Sequence, residues 1–230
     1  MRQPLLILAS TSPARRDTLL RLGLRFEVVA PEVEEEVRAD ESPAARALRL
    51  ARLKARAVRA RRPEAIVVAG DQTAVCGGVL LHKPRDEAEA RASLRATSGR
   101  WIDFHTALAV HAPSWTRPRT VYDRTRIRLR RLGEGEIRRY VALDRPLGCA
   151  GAFRAEGAGA ALWASFCGDD PSAIVGLASS GSGSAVFARR VSSSPERGRV
   201  TGMGDPGSWR SSGYGLKPVV RLSDPPVPGR

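Results

Sequence analysis

Lysine is almost missing from this chain. Of 38 basic residues only Lys54, Lys83 and Lys217 are lysine, and the rest are arginine. Together with abundant Ala, Gly and Pro, this bias reads as the mark of a GC-rich coding sequence. The formal net charge of +14 is therefore discounted as a nucleic-acid footprint, although charge of that size would otherwise suggest one. Aromatic residues, which would stack single-stranded bases, make up only 5%, and a nucleic-acid partner is not expected. The three cysteines (Cys76, Cys149, Cys167) are odd in number and lack metal-type spacing. They point to a reducing, cytoplasmic setting. His82, His105 and His111 have no metal-binding spacing either. No apolar run is long enough to span a bilayer, and "LLILA" is followed closely by Arg16 and Arg21, unlike a secretory signal. A soluble protein without a membrane partner is expected. Neither Gly-x4-Gly-Lys-Ser/Thr nor Gly-x-Ser-x-Gly occurs, so P-loop and serine-elbow chemistry have no sequence support.

What is present supports a folded body. The 230 residues, 42% of them hydrophobic, suffice for one large domain with an extension. "PLLILA" reads as a buried strand running into a helix, "SPARRDTLLRLGL", with Pro13 near its first turn and Gly23 near its end. "FEVVAP" reads as a second strand, and "VEEEVRADES" as an acidic loop. A helix then starts at Ser42-Pro43, with Leu48, Ala51, Ala55 and Val58 three or four apart. "AIVVAGDQTAV" is the strongest buried strand and is expected to break at Gly70-Asp71. A hairpin around Gly77-Gly78 follows, then a helix capped by Asp86 and stopped by Gly99. "WIDFHTALAVHA" and "VYDRTRIRLRRL" read as strands, the second with Ile127 and Leu129 alternating with arginines as on a half-solvated face. "GEGEIRRYVAL" reads as a helix and "CAGAFR" as a last strand. Without a strict βαβ rhythm, the expected class is α/β or α+β with a mixed sheet.

Composition changes after Leu177. From there to the C-terminus, 26 of 54 residues are Ser, Gly or Pro. Such a segment buries too little apolar surface to offset its ordering entropy, so residues 178–230 are expected to be a disordered tail outside a domain of residues 1–177.

Several residues suggest chemistry. Asp71 follows a buried strand, a common place for a ligand carboxylate, although a turn or cap aspartate reads equally well. Glu34, Glu35 and Glu36 offer hard-cation oxygens or simply a solvated loop. Lys54 and Lys83 draw interest through their rarity. Two serines and the Arg15-Arg16 pair lie at the mouth of the first helix, where free N–H groups and the dipole favour an anion. Cations for phosphates together with separated carboxylates for a metal form an inventory suited to phosphoryl chemistry.

The segments "LILASTSPARRDTLL", "APEVEEE", "LARLKARAV", "GDQTAV", "HKPRDEAEARASLRATSGR", "HTALAV", "CAGAFRAEG" and "GDDPSAIVGL" resemble, in order, the Maf family of nucleoside triphosphate pyrophosphatases. The Gly-Asp-Gln motif and the Glu of "FRAEG" are similar to the YceF-type branch, associated with 7-methyl-GTP. The resemblance implies a two-lobed mixed α/β fold of the Maf/ITPase kind with a central mixed sheet and a cleft. It also implies a cytoplasmic hydrolase that converts a nucleoside triphosphate to the monophosphate and pyrophosphate with a divalent cation, Mg²⁺ or Mn²⁺. A homodimer is compatible with it. Carried over residue by residue, it makes Asp71 the catalytic base or metal-linked carboxylate and Glu35 a metal ligand, with Glu34 nearly as eligible. Ser10, Arg15, Lys54 and Lys83, with Arg16 behind them, become triphosphate contacts. Gln72, Glu156 and position 14 become specificity residues.

Three departures bear on these expectations. Ala14 stands where the branch carries a bulky, often aromatic residue, which would offer a cationic methylated base a face worth about 0.5–2 kcal/mol. Arg154 stands where lysine is typical, and the two cations differ at a shaped site. After "VGL" the family continues into an apolar helix, whereas this chain reads "ASSGSGSAVFARR", as a frame shift or a divergent tail would produce. Competing readings are a hydrolase for other modified nucleotides, a nucleotide-binding protein impaired by its altered C-terminus, and a basic nucleic-acid-binding module.

Overall fold

The structure, a computed structural model, describes residues 5–170 and 172–176; the expected tail, residues 178–230, lies outside them. Among the described residues, seven strands form one mixed sheet: β1 (Leu6–Leu8), β2 (Glu27–Val28), β3 (Ile66–Cys76), β4 (Val79–Leu81), β5 (Trp101–His111), β6 (Arg119–Leu129) and β7 (Trp163–Cys167). The order is β2-β1-β3-β5-β6-β7, with β4 also on β3. β1 runs parallel to β2 and β3, and the remaining pairs are antiparallel. The mixed sheet expected from the irregular strand–helix alternation is what forms.

Four α-helices of the described residues cover it: α1 (Pro13–Arg21), α2 (Pro43–Arg61), α3 (Glu87–Thr97) and α4 (Glu134–Asp144). Their starts follow local chemistry. Ser12, Ser42 and Asp86 each accept a backbone N–H from the first turn, and Pro follows both serines. The α2 stripe Ala47, Leu50, Ala51, Ala55 and Val58 is buried against β1, β3 and β5. α3 and α4 instead close a second apolar cluster around Ala74, Cys76, Ile102, Phe104, Ile127 and Leu129. The long strands β3 and β5 pass from one cluster to the other, which gives two lobes on a shared sheet.

Three sequence expectations are corrected. The strand around Gly70-Asp71 does not break there: β3 pairs with β5 in one register from Val67↔His111 to Val75↔Asp103, with Gly70 opposite Leu108 and Asp71 opposite Ala107. Burial on a central strand outweighs the turn tendency of the Gly-Asp pair. "FEVVAP" supplies only the two-residue β2. "CAGAFR" is not a strand, because Ala150–Ala152 form a 3₁₀ turn in which Gly151 has φ +71°. An added Cβ there would lie 2.9 Å from Leu81 Cδ1, and a left-handed residue cannot continue a ladder. The last strand is β7, which the sequence reading missed.

Candidate active site

The gap between the lobes follows from the pairing of β3. β1 takes the edge of β3 at Ile66–Val68 and β4 takes the same edge at Ala74–Cys76, while β5 fills the other side throughout. The stretch between, Ala69 to Thr73, therefore faces a cleft. It is a cavity of about 360 Å³ lined by, among others, Ser10, Ala14, Arg15, Glu35, Lys54, Asp71, Gln72, Lys83, Cys149 and Glu156. Of the eleven residues singled out from the sequence for the site, counting Glu34 beside Glu35, nine thus converge on one cavity, and Glu34 is not among its lining. Nor is Arg16: it is exposed on α1 and is not among the residues lining the cleft.

At the cavity floor Lys54 lies between two carboxylates. Its Nζ donates to Asp71 Oδ1 at 2.7 Å and lies 2.6 Å from Glu35 Oε1. Lys54 and Asp71 are buried, with 8% of each side chain exposed, whereas half of the Glu35 side chain is exposed. Lys54 belongs to the buried stripe of α2, three residues after Ala51 and four before Val58. A charged side chain in that stripe requires a partner. Glu35 reaches it because Arg46 and Arg49 of α2 donate to the backbone carbonyls of the acidic loop, at 2.9 Å to Glu35 and at 2.6 and 3.0 Å to Glu36. Between Glu34 and Glu35, which the sequence left open, the fold thus brings Glu35 into the cleft. Burial by itself would raise the Glu35 carboxyl. The hydrogen bond and charge of Lys54, reinforced by Lys83 and Arg46, instead hold it below the ordinary carboxylate range.

The opposite wall begins where β1 ends. Arg15 Nη1 donates to Ser10 Oγ at 3.3 Å and its Nε to the Gly176 carbonyl at 2.9 Å. Burial lowers the affinity of this guanidinium for its proton, opposed by Asp71 and Glu35, but guanidinium remains charged in proteins. Lys83 follows the β3–β4 hairpin and stands exposed at the rim. Gln72, read as a specificity residue, has its amide nitrogen already engaged: Nε2 donates to Thr106 Oγ1 at 3.0 Å and to the carbonyls of Ala173 and Ile174 at 3.0 and 3.1 Å.

The loop bearing Glu156 is anchored on α4. Tyr140 Oη accepts the Arg154 N–H at 2.9 Å, and Asp144 Oδ2 accepts the Gly159 N–H at 3.1 Å. Glu156 pairs with Arg154 at 3.4 Å, its side chain 19% exposed. Ala14 contributes only a methyl to the wall. Sequence reasoning missed Cys149, Phe153 and the 173–176 turn as cleft walls. Burial, with Glu156 adding to it, pushes the Cys149 thiol up to about 11, so it is a neutral wall group at physiological pH. Only "CAGAF" and "PSAIVGL", already noted as family-like, marked these segments in advance.

The donor set can hold a hard cation. Two carboxylates converge on a single positive group at 2.6 and 2.7 Å, and Mg²⁺ is commonly held by one or two carboxylates plus water and substrate phosphate. Among the described residues no group of three or more His, Cys, Asp or Glu assembles, so no closed protein cage is offered. Among the same residues, no helix is long and apolar enough to cross a membrane.

Comparison with known proteins gives a consistent result. A family model described as Maf-like protein matches residues 5–182. A relative from Nitrosococcus oceani, named 7-methyl-GTP pyrophosphatase, is 42% identical over 76% of this chain and 87% of its own length. Proteins of the same name from Alkalilimnicola ehrlichii and Xanthomonas oryzae are 46% and 45% identical, each over 76% of this chain and over 88% and 90% of their own lengths.

Proposed function

This chain belongs to the Maf family, and from that membership we propose that it hydrolyses nucleoside triphosphates to the monophosphate and pyrophosphate. The observation that carries the reading is the buried Asp71–Lys54 pair, joined by the half-exposed Glu35, at the floor of a cleft whose walls hold Ser10, Arg15 and Lys83. Asp71 accepts a proton from the attacking water, whose oxygen bonds to the α-phosphorus while the α–β bridging oxygen leaves with pyrophosphate. Ser10, Arg15, Lys54 and Lys83 bind the triphosphate and offset the charge that builds on the leaving group. Glu35 and Asp71 would hold a divalent cation, Mg²⁺ or Mn²⁺, which when bound supplies further neutralisation of the triphosphate. The test is pyrophosphate release across a panel of canonical and modified NTPs, with and without Mg²⁺ or Mn²⁺. Nucleotide binding without pyrophosphate release under any of these conditions would sink the reading.

The base is a guanine, with 7-methyl-GTP the substrate that the relatives' names suggest. Glu156 can accept both the N1–H and the exocyclic amine of a guanine edge, a pattern no pyrimidine presents, and Gln72 still has its amide oxygen for the base. Ala14 brings no aromatic face to its side of the pocket, so the methyl preference is expected to be small and other modified purines to be accepted. Glu156→Gln should reduce turnover of GTP and 7-methyl-GTP far more than that of UTP. Sites built on such hydrogen bonds discriminate by up to about 10⁴-fold, and an unchanged GTP-to-UTP ratio would remove Glu156 from base recognition.

The phosphate contacts make a separate expectation. Arg15→Ala and Lys83→Ala should each raise KM for all NTPs by a similar factor, on the order of tenfold for a lost charge-assisted contact. The order of preference among bases should not change. A loss confined to one base would put that side chain in the specificity pocket instead.

A further inference from the structure

We propose that Thr106 is a positioning residue for Arg15, acting across the sheet through the turn that ends at Gly176. Thr106 is fully buried on β5, opposite Gln72 of β3, and the mechanism above makes no use of it. Its hydroxyl donates to the Ala173 carbonyl at 2.9 Å and accepts from Gln72 Nε2 at 3.0 Å. The same carbonyl also accepts from Gln72 Nε2 at 3.0 Å and from the Gly176 N–H at 2.9 Å. Ala173 O is therefore where the most donors fasten the turn to the sheet, with the Ile174 carbonyl, which accepts from Gln72 Nε2 at 3.1 Å, beside it.

Three residues further on, the Gly176 carbonyl accepts Arg15 Nε at 2.9 Å. With Nη1 on Ser10 Oγ, the planar guanidinium is held at two of its three nitrogens, so its orientation is set by where Gly176 stands. The space for this is tight. A Cβ on Gly70 would lie 2.9 Å from Arg15 Nε and 3.2 Å from the Gly176 carbonyl, so both groups press on the β3 backbone. A guanidinium held in this way presents its remaining N–H donors in one direction, as bidentate phosphate contacts require. Removing the Thr106 hydroxyl takes away one of the two side chains that hold the turn and the acceptor that helps orient the other, Gln72 Nε2, which loosens the turn, lets Gly176 shift and frees Arg15 to leave that orientation.

The kinetic consequence rests on the reading of Arg15 as a triphosphate contact, and the experiment separates the two claims. Thr106→Val, and Thr106→Ala as a smaller second variant, remove the hydroxyl; Thr106→Ser keeps it. The direct readout is the exchange protection of the Arg15 Nε–H in the nucleotide-free protein, followed by NMR. Protection should fall about tenfold or more in the Val and Ala variants and return in the Ser variant, the effect expected for a fastening hydrogen bond. Unchanged protection in folded Thr106→Val or Thr106→Ala would overturn the proposal, as would failure of Thr106→Ser to restore it. In turnover, Thr106→Val should lower kcat/KM about ten- to a hundredfold in the Arg15 protein. It should lower it less than about twofold when Arg15 is already alanine, because coupled residues are not additive. Equal losses in both backgrounds would make Thr106 a general structural residue and also overturn the proposal. If Arg15→Ala leaves turnover intact while Thr106→Val still releases the Nε–H, the positional link stands and the phosphate role of Arg15 is what fails.

Discussion

Asp71→Asn should lower pyrophosphate release by about 10²–10⁴-fold, the usual worth of a positioned general base, while leaving the fold intact. The two parts of that expectation have separate causes. Asparagine is nearly isosteric and keeps an oxygen where Asp71 Oδ1 now accepts from Lys54 at 2.7 Å. Lys54 is not left as an unpaired buried charge either, since Glu35 Oε1 lies 2.6 Å from it on the other side. What disappears is the only acidic proton acceptor of β3 that faces the cleft. Steady-state turnover and a thermal melt measured on the same preparation check both halves. A variant keeping more than about a third of the wild-type rate would remove Asp71 from the role.

Lys54→Met should have the largest effect on stability. It leaves the buried Asp71 carboxylate and the nearby Glu35 carboxylate without the cation between them, and breaking a buried ion pair costs about 3–5 kcal/mol. In a domain of this size about 1 kcal/mol shifts Tm by roughly 2–4 °C, so calorimetry should register a fall on the order of 6–12 °C or more. The pH dependence should change as well. In the wild-type protein Glu35 is held below its ordinary value. Its share of stability is present above the unfolded carboxyl range and is lost as pH falls through the lower folded value. Glu35 is half exposed, so that share is small. In Lys54→Met the Glu35 carboxylate loses the cation that held it below its ordinary value, so that share no longer falls away in acid, and the gap to wild type should narrow as pH drops from 7 towards 4. A gap that stays constant with pH would mean that lost packing, rather than lost charge, dominates.

Much of the scaffold was legible because its signals are local. Ser12-Pro13, Ser42-Pro43 and Asp86 start helices through bonds made within one turn. The Ile127 and Leu129 alternation marks a strand with one wet face. Asp71 and Lys83 stood out through position and rarity. Lys54 stood out through rarity alone, although its spacing from Ala51 and Val58 also places it in the buried stripe of α2. β7 and the Ala150–Ala152 turn were not legible. "WASFC" has no strong period, and the left-handed Gly151 is required only by the packing of Leu81 against it.

The order of elements as far as α4, the helix starts, the mixed character of the sheet and the inventory of phosphate-binding cations and acidic groups were therefore determined by the sequence alone, because caps, periodicity and composition act over a few residues. Only the tertiary structure decided that β3 runs unbroken through Asp71, that Glu35 rather than Glu34 enters the cleft, and that Arg16 stays outside it. It alone tied Arg15 to Gly176, 161 residues away in sequence, and brought Thr106 to Ala173 across 67. Those outcomes depend on which backbone carbonyls the fold carries to which side chains, and no local pattern encodes a contact between residues that far apart.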